Sequence, residues 1–278
     1  MSLRCGRMAY TNVAPLYSAF DCGAIEHPGS FVPGVPATLN AMLLGGELDL
    51  SPISAMFWAQ HAEGFVLLPD VCIGARDDVV SVLLSSERPP ALLDGATVYI
   101  TDESASGYNL LRVLLERRYD VRPMYERTAD VLARAQAGQP TLLIGDAAID
   151  ALETVPAESI YDLGHLWHDW TQTQSVFGVW AARREAFARH PAGVRACMLA
   201  MTEAYAWARA HRERVIEIAQ AQRFREASCY ESYYDKLYFN YNLAAQNGLA
   251  AFCRELHAIG AIDRVPSVVP ENLDAVAL

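Results

Sequence analysis

The sequence predicts an α/β protein of two lobes with a ligand cleft between them. Three observations favour this class. Short apolar segments alternate with helical patterns in two separate stretches of the chain. Two long apolar segments, 79–86 and 176–181, would carry the chain out of lobe one and back into it. The 278 residues, 52% of them hydrophobic, suffice for one large domain or two lobes with a sizeable core.

In lobe one, strands and helices are expected in turn. Apolar runs predict strands at 7–10, 48–54, 65–68 and 79–86. Helices are expected at 15–20, 35–44 and 55–63. The 35–44 helix has a proline near its first turn and stops at Gly45-Gly46.

A linker-like break at Glu87–Pro90 starts the second unit. Strands are expected at 96–100, 141–144 and 159–163, with a polar turn at 101–107 and helices at 108–119 and from 147. After the returning strand at 176–181, the spacing of apolar residues predicts helices at 186–209, 212–222 and 230–258. We therefore expect lobe one to comprise 1–86 and 177–278, and lobe two to comprise 87–176.

Composition restricts the class of partner. The net charge of −11 disfavours nucleic acid and acidic membrane surfaces, while a small anion needs only local donors. No apolar run approaches the length of a membrane span, and the first residues do not resemble a secretory signal peptide. The six cysteines are scattered and read as reduced thiols, which favours a cytoplasmic location. No cofactor and no metal ion is expected.

The corner between the first strand and the first helix is the most informative segment. Thr11 and Asn12 lie there, where open α/β sheets place their ligands and helix N–H groups point outwards. An Asn can donate and accept hydrogen bonds without bringing a charge. Capping of the helix by either residue is an equally good explanation of this segment alone.

Several motifs, taken in order, resemble one family. They are Asn12-x-x-Pro15-Leu16, the segments 46–49 and 52–54, 104–106, 143–148, and 176–181. Together they resemble chorismate dehydratase, the first enzyme of the futalosine route to menaquinone. The resemblance implies a type II periplasmic-binding-protein-like fold, with a mixed sheet flanked by helices in each lobe. It also implies loss of water from chorismate, giving 3-[(1-carboxyvinyl)oxy]benzoate. The family usually has Thr-Gly-Leu-Pro before the returning strand, where this chain reads 171–175 as TQTQS.

The resemblance implies roles for two residues above the others. The Asn12 amide would hydrogen-bond the departing hydroxyl or orient the ether carboxylate. Ser81, in the crossover strand, would lie at the floor of the cleft and contact the ligand, although a buried structural serine is the alternative. We expect both to be catalytic.

Substrate-binding residues are expected at the helix starts. Thr11, Ser54, Ser104 and Ser106 carry hydroxyl groups near such starts, where they can bind a carboxylate or cap the helix. Gly107 would let the ligand approach the backbone.

Three more residues complete the expected binding set, namely Gly145, Asp146 and Phe177. Asp146 is interpreted as a cap for the following helix rather than a base, because an anionic substrate repels a bare carboxylate. One of the substrate's own carboxylates is then the candidate base. Phe177 would pack against the ring of the substrate. Trp180 lies an odd number of residues away along the strand, so it would lie on the opposite face and point into the core.

Other patterns have ordinary explanations. His165 and His168 lack a third ligand at suitable spacing, and the tyrosines from 230 to 241 suit a packed helix face or a dimer contact. The sister enzyme 1,4-dihydroxy-6-naphthoate synthase and a non-enzymatic small-carboxylate binding protein remain alternative functions. The chain is expected to act as a monomer or homodimer on a small anionic substrate, chorismate.

Overall fold

The computed structural model describes residues 2–101 and 105–276. Its strands are β1 Arg4–Met8, β2 Ser30–Gly34, β3 Leu50–Ser54, β4 Phe65–Ala75, β5 Val82–Ser85, β6 Thr97–Ile100, β7 Met124–Arg127, β8 Thr141–Ile144, β9 Ile160–Asp162, β10 Ser175–Arg183 and β11 Leu237–Tyr241. Its α-helices are α1 Ala14–Asp21, α2 Pro36–Gly45, α3 Ala55–His61, α4 Ala105–Val113, α5 Val131–Gln136, α6 Asp146–Thr154, α7 Leu163–Thr171, α8 Arg184–Arg189, α9 Pro191–Ala210, α10 Arg212–Gln222, α11 Ala227–Lys236 and α12 Leu243–Ala258.

The strands form two mixed sheets, as expected. The first has the order β11-β4-β10-β3-β1-β2, and the second has the order β7-β6-β8-β5-β9. Strand β1 runs parallel to β2 and β3, whereas β10 runs antiparallel to β3 and β4. In the second sheet, β6 runs parallel to β7 and β8, and β5 runs antiparallel to β8 and β9. The returning segment β10 therefore lies at the centre of the first sheet.

Parallel pairing places the candidate segments at common edges. The turn containing Thr11 follows β1, and Ser54 is the last residue of β3, so both lie at one edge of the first sheet. Strands β6 and β8 are also parallel, so α4 and α6 begin at one edge of the second sheet. Ligands of open α/β sheets bind at such carboxyl edges.

The predicted helix at 230–258 is wrong in its middle. Residues Leu237–Tyr241 form β11, which pairs antiparallel with β4. The segment reads Leu-Tyr-Phe-Asn-Tyr, whose aromatic residues suit a pleated surface, and the open edge of the long strand β4 supplies its partner. The apolar spacing alone did not distinguish this short strand from a helix.

The crossover strand predicted at 79–86 is shorter than expected. Only Val82–Ser85 pair, and they pair with β8 and β9 of the second sheet. The backbone at Val80 has φ of 67°, which is incompatible with a regular strand. The expected boundary at residue 86 thus follows a strand of the second sheet, and we propose that the linker between the lobes is 76–81.

Apolar side chains fill the interior of both lobes. The largest fully buried side chains include Trp167, Trp180 and Tyr17. Trp180 is 1% exposed and Phe177 is partly exposed, in agreement with their expected difference in environment. Among the described residues, no helix combines the length and apolar character needed to cross a membrane.

Helix α12 approaches the start of β10 so closely that only glycine fits at the contact. A Cβ atom on Gly248 would overlap the Gln174 carbonyl oxygen. We expect Gly248→Ala to destabilise the fold by about 1–3 kcal/mol, because backbone on both sides must move. Thermal unfolding should show a clearly lower Tm, whereas Gly64→Ala, where the new methyl group meets open space, should leave Tm nearly unchanged. Equal Tm values for the two variants would contradict this packing.

Candidate active site

The turn after β1 presents Asn12 with an unpaired buried atom. Thr11–Val13 form one turn of 3-10 helix, and α1 continues from Ala14. The Asn12 side-chain oxygen Oδ1 is buried, and no donor in the described part of the chain reaches it. Buried polar atoms in folded proteins nearly always have a hydrogen-bond partner, so the unpaired Asn12 Oδ1 requires a donor. Neither Thr11 nor Asn12 caps α1 with its side chain.

Helix α11 packs its tyrosines against this turn. Tyr234 donates a hydrogen bond to the Thr11 carbonyl oxygen at 2.7 Å, and the Tyr230 hydroxyl interacts with the Thr11 side chain. Tyr233 is buried, and its hydroxyl interacts with the Ser81 side chain. Burial raises the pKa of all three hydroxyl groups, which therefore stay protonated at neutral pH.

Ser81 lies where the two lobes meet. It immediately precedes β5, rather than lying within a strand as expected, and it is 6% exposed. Its carbonyl oxygen accepts a hydrogen bond from the Gly145 N–H at 2.8 Å, and its hydroxyl donates a long hydrogen bond of 3.4 Å to the Val79 carbonyl oxygen. Ser81 is thus placed between the end of β8 and helix α11.

The backbone before Ser81 is held in a strained conformation. Val80 adopts φ of 67°, a costly region for a β-branched residue. The Asp162 carboxylate accepts hydrogen bonds from the Val80 N–H at 2.7 Å and from the Val79 N–H at 3.0 Å. The same carboxylate caps α7. Burial raises the pKa of Asp162, and the hydrogen bonds from backbone N–H groups oppose that rise.

Helices α3 and α4 meet at their N-terminal turns. Ser54 caps α3 by accepting a hydrogen bond from the Phe57 N–H at 3.1 Å. Ser106 was expected in a turn, but it lies inside α4 and its hydroxyl accepts a hydrogen bond from the Met56 N–H of α3 at 3.0 Å. Gly107 is buried in the same turn of α4. The N-terminal ends of α3 and α4, which carry a partial positive charge, therefore lie close together.

Ser104 lies outside the described residues. Phe177 shares a cavity with Ser106 and Trp167, but the volume of this cavity is only about 10 Å³. Pockets for small organic ligands are typically about 300–1,000 Å³. In the arrangement shown, this cavity is therefore too small to hold an organic ligand.

Gly145 and Asp146 form the corner between β8 and α6. Gly145 adopts φ of 58°, which favours glycine. Asp146 is the first residue of α6 and does not provide the expected cap, since the N-cap is Gly145 and no side chain caps this helix. Its carboxylate instead pairs with Arg223 at 3.1 Å and with Arg225 at 3.2 Å.

The same arginines also pair with the second carboxylate of α6. Asp150 lies 2.8 Å from Arg223 and 2.7 Å from Arg225, whose side chain is 8% exposed. Both arginines follow α10 in lobe one, whereas α6 follows β8 of the second sheet. The four ion pairs between these residues therefore connect the two lobes. The Asp146 carboxylate is therefore engaged and is poorly placed to act as a base.

A second, larger groove lies elsewhere in the molecule. It has a volume of about 760 Å³ and lies between α3, β4 and the segment 261–271, without any of the expected site residues. His165, one of the two histidines considered above, pairs with Asp77 at 2.8 Å, and His168 contacts the Thr173 carbonyl oxygen at 3.3 Å. The groove contains neither Asn12 nor Ser81, whereas His165 contacts the linker before Ser81 through Asp77.

Sequence reasoning missed the contributions of α11 and of the loop before it. The tyrosine spacing indicated a packed helix face, and Tyr230, Tyr233 and Tyr234 do pack, but on the very turn and linker that carry Thr11 and Ser81. Arg225 gave no recognisable signal, and the role of Asp162 was not predicted, because their partners lie far away in sequence.

Comparison with known proteins adds two findings. The family model for menaquinone biosynthesis matches residues 3–258. A chorismate dehydratase of Thermus thermophilus is 36% identical over 195 residues, which cover 65% of this chain and 69% of that protein.

Solved structures share the fold. A protein from Archaeoglobus fulgidus superposes with a TM-score of 0.74 at 18% identity, covering 94% of this chain and 98% of its own. The periplasmic aliphatic sulphonate binding protein of Escherichia coli gives a TM-score of 0.70 at 18% identity, covering 100% and 95%. The architecture is therefore that of the periplasmic binding proteins, as the sequence predicted.

The Asp162 carboxylate should control the order of the linker. In Asp162→Ala the N–H groups of Val79 and Val80 lose their acceptor, and we expect a loss of about 2–4 kcal/mol in stability. Hydrogen exchange should accelerate at these two amides more than in the strands. Asp94→Ala removes a carboxylate that accepts only the exposed Arg122 N–H and should have a small effect. Unchanged exchange at Val79 and Val80 in Asp162→Ala would show that the linker conformation has another cause.

Proposed function

The chain belongs to the menaquinone biosynthesis family, and from this we propose that it catalyses the loss of water from chorismate, giving 3-[(1-carboxyvinyl)oxy]benzoate. One observation carries the proposal, namely the extended identity with a protein named for this reaction. We further propose that the reaction belongs to the futalosine route and takes place in the cytoplasm. None of the six cysteines forms a disulfide bond, which supports a reducing compartment.

The chemistry sets clear requirements. Removal of water aromatises the ring, so the overall reaction is strongly favourable and the enzyme must lower a barrier and select one route. A ring C–H proton must be removed, and the hydroxyl group must be helped to leave. A closed cleft that holds one conformer of the substrate provides much of this by positioning.

The polar groups of the candidate site are mainly uncharged. Asn12 has an unpaired Oδ1, Ser81 has a weakly engaged hydroxyl, and Tyr233 remains a neutral phenol. Such groups can orient a dianion and hydrogen-bond a leaving hydroxyl without repelling either carboxylate. The helix starts of α3 and α4 add positive backbone ends, which attract carboxylates.

The base is then best sought on the substrate. Asp146, the expected binding residue that carries a carboxylate, is held by two arginines. We propose that one of the two substrate carboxylates removes the ring proton, while Asn12 and Ser81 hold the ring and the departing hydroxyl. Thr11, Ser54, Ser104, Ser106, Gly107, Gly145 and Phe177 are proposed to bind the rest of the molecule.

The proposal is tested by mixing the purified chain with chorismate. We expect the diene absorbance to disappear and mass spectrometry to show a product lighter by one water. Chorismate that stays unchanged would overturn the proposal. A ligand-dependent rise in Tm without turnover would then indicate a small-carboxylate binding protein, and turnover of the naphthoate precursor would indicate the sister synthase.

Asn12→Ala and Ser81→Ala should each lower kcat/KM by about 10²–10³, the usual cost of removing a positioned hydrogen-bonding group from a transition state. The folded state should persist, because Asn12 Oδ1 has no partner in the described part of the chain and the Ser81 hydroxyl makes a long hydrogen bond of 3.4 Å to the backbone. Asn240→Ala on the exposed face of β11 and Ser85→Ala on β5 serve as matched controls. Full activity of both site variants would remove these residues from the mechanism.

Asp146→Asn distinguishes a protein base from a substrate base. If the substrate carboxylate removes the proton, we expect kcat to stay within about tenfold, because loss of a true general base costs about 10²–10⁴. Circular dichroism and Tm confirm that the variant folds. A collapse of turnover in a folded protein that still binds chorismate would make Asp146 the base.

A further inference from the structure

Two buried cysteines and a histidine meet in lobe one, away from the cleft. Cys5 lies on β1, Cys197 lies on α9, and His27 lies in the loop before β2. Both cysteines are 1% exposed, and their sulfur atoms are 3.9 Å apart. One ring nitrogen of His27 and the two sulfur atoms all lie within 4.8 Å of one another.

Packing holds the three side chains together. The His27 ring stacks on Phe31 with a centroid distance of 4.1 Å, and its Nδ1 lies 3.0 Å from the Gly29 carbonyl oxygen. A Cβ atom on Gly29 would lie 2.5 Å from the Cys5 sulfur and 3.1 Å from His27 Cε1. Glycine at this position therefore allows the cysteine and histidine to approach each other.

The sulfur separation suits a shared ion better than a covalent bond. Two thiolates bound to one zinc ion at about 2.3 Å in tetrahedral geometry lie about 3.8 Å apart. A disulfide would bring the two sulfur atoms to about 2.05 Å. The observed 3.9 Å between Cys5 and Cys197 agrees with the first arrangement.

We propose that Cys5, His27 and Cys197 form a binding site for a thiophilic divalent cation of the Zn²⁺ class. Two sulfur ligands and one imidazole nitrogen are a soft donor set, and three protein ligands leave one position for solvent. Binding releases the thiol protons to solvent and links β1, the loop before β2 and α9. An ion held only by the folded chain stabilises lobe one.

The test uses the full chain, stripped of metal under reducing conditions and then titrated with Zn²⁺. We expect one ion per chain by native mass spectrometry and a rise in Tm that Mg²⁺ does not produce. Co²⁺ in place of Zn²⁺ should show the intense near-ultraviolet absorption of thiolate–metal charge transfer. Failure to bind Zn²⁺ at stoichiometric concentration, or a mass lower by two hydrogens that reports a disulfide, would overturn the proposal.

Variants locate the ion. Cys197→Ser should abolish the charge-transfer absorption and the rise in Tm, and His27→Phe should weaken both while keeping the ring stack on Phe31. Cys253→Ser changes a buried cysteine that belongs to no such cluster among the described residues, and it should bind like the unchanged chain. Far-ultraviolet circular dichroism of the metal-free variants separates loss of the site from loss of fold. Undiminished binding by folded His27→Phe and Cys197→Ser would place the ion elsewhere and overturn the proposal.

Discussion

The Asp162 carboxylate is the interaction on which the region between the lobes depends. It accepts hydrogen bonds from the linker amides of Val79 and Val80 and also caps α7. The strained φ of Val80 persists because these contacts outweigh its cost. Ser81 follows directly, so its position relative to β8 and α11 is set by a residue more than eighty positions away in the chain. The buried Asp162 carboxylate thus connects the linker before β5 with the start of α7 and determines where Ser81 lies.

Ion pairs and neutral polar groups lie next to one another between the lobes. The carboxylates of Asp146 and Asp150 are paired with Arg223 and Arg225 across the lobes. The groups that surround the Asn12 turn are amides, hydroxyls and phenols kept neutral by burial. The arginines offset the charge of the two carboxylates, and the four ion pairs connect the lobes. The side chains of Arg223, Asp146 and Asp150 are partly exposed, which keeps the contribution of these ion pairs to stability modest.

Helix α11 connects several of these features. Its tyrosines contact the turn after β1 and the linker before β5, and β11 follows immediately to extend the first sheet. A change in the relative position of the lobes must therefore move the linker against α11. The cavity beside Phe177 and Ser106 is too small for an organic ligand in the arrangement shown.

The sequence by itself determined the two α/β units, the placement of Thr11 and Asn12 at a strand-to-helix corner, and the family, because these follow from local apolar periodicity, turn residues and motif order. It did not determine β11, the pairing of Val82–Ser85 with the second sheet, or the ion pairs of Asp146. Each of these features depends on a partner that is distant in the chain. Strand β11 needs the open edge of β4, the backbone before Val82–Ser85 needs the Asp162 carboxylate, and Asp146 needs two arginines. The cluster of Cys5 with Cys197 escaped notice for the same reason, since sequence spacing shows a ligand set only when its members are close in sequence, and here the fold alone brings them together.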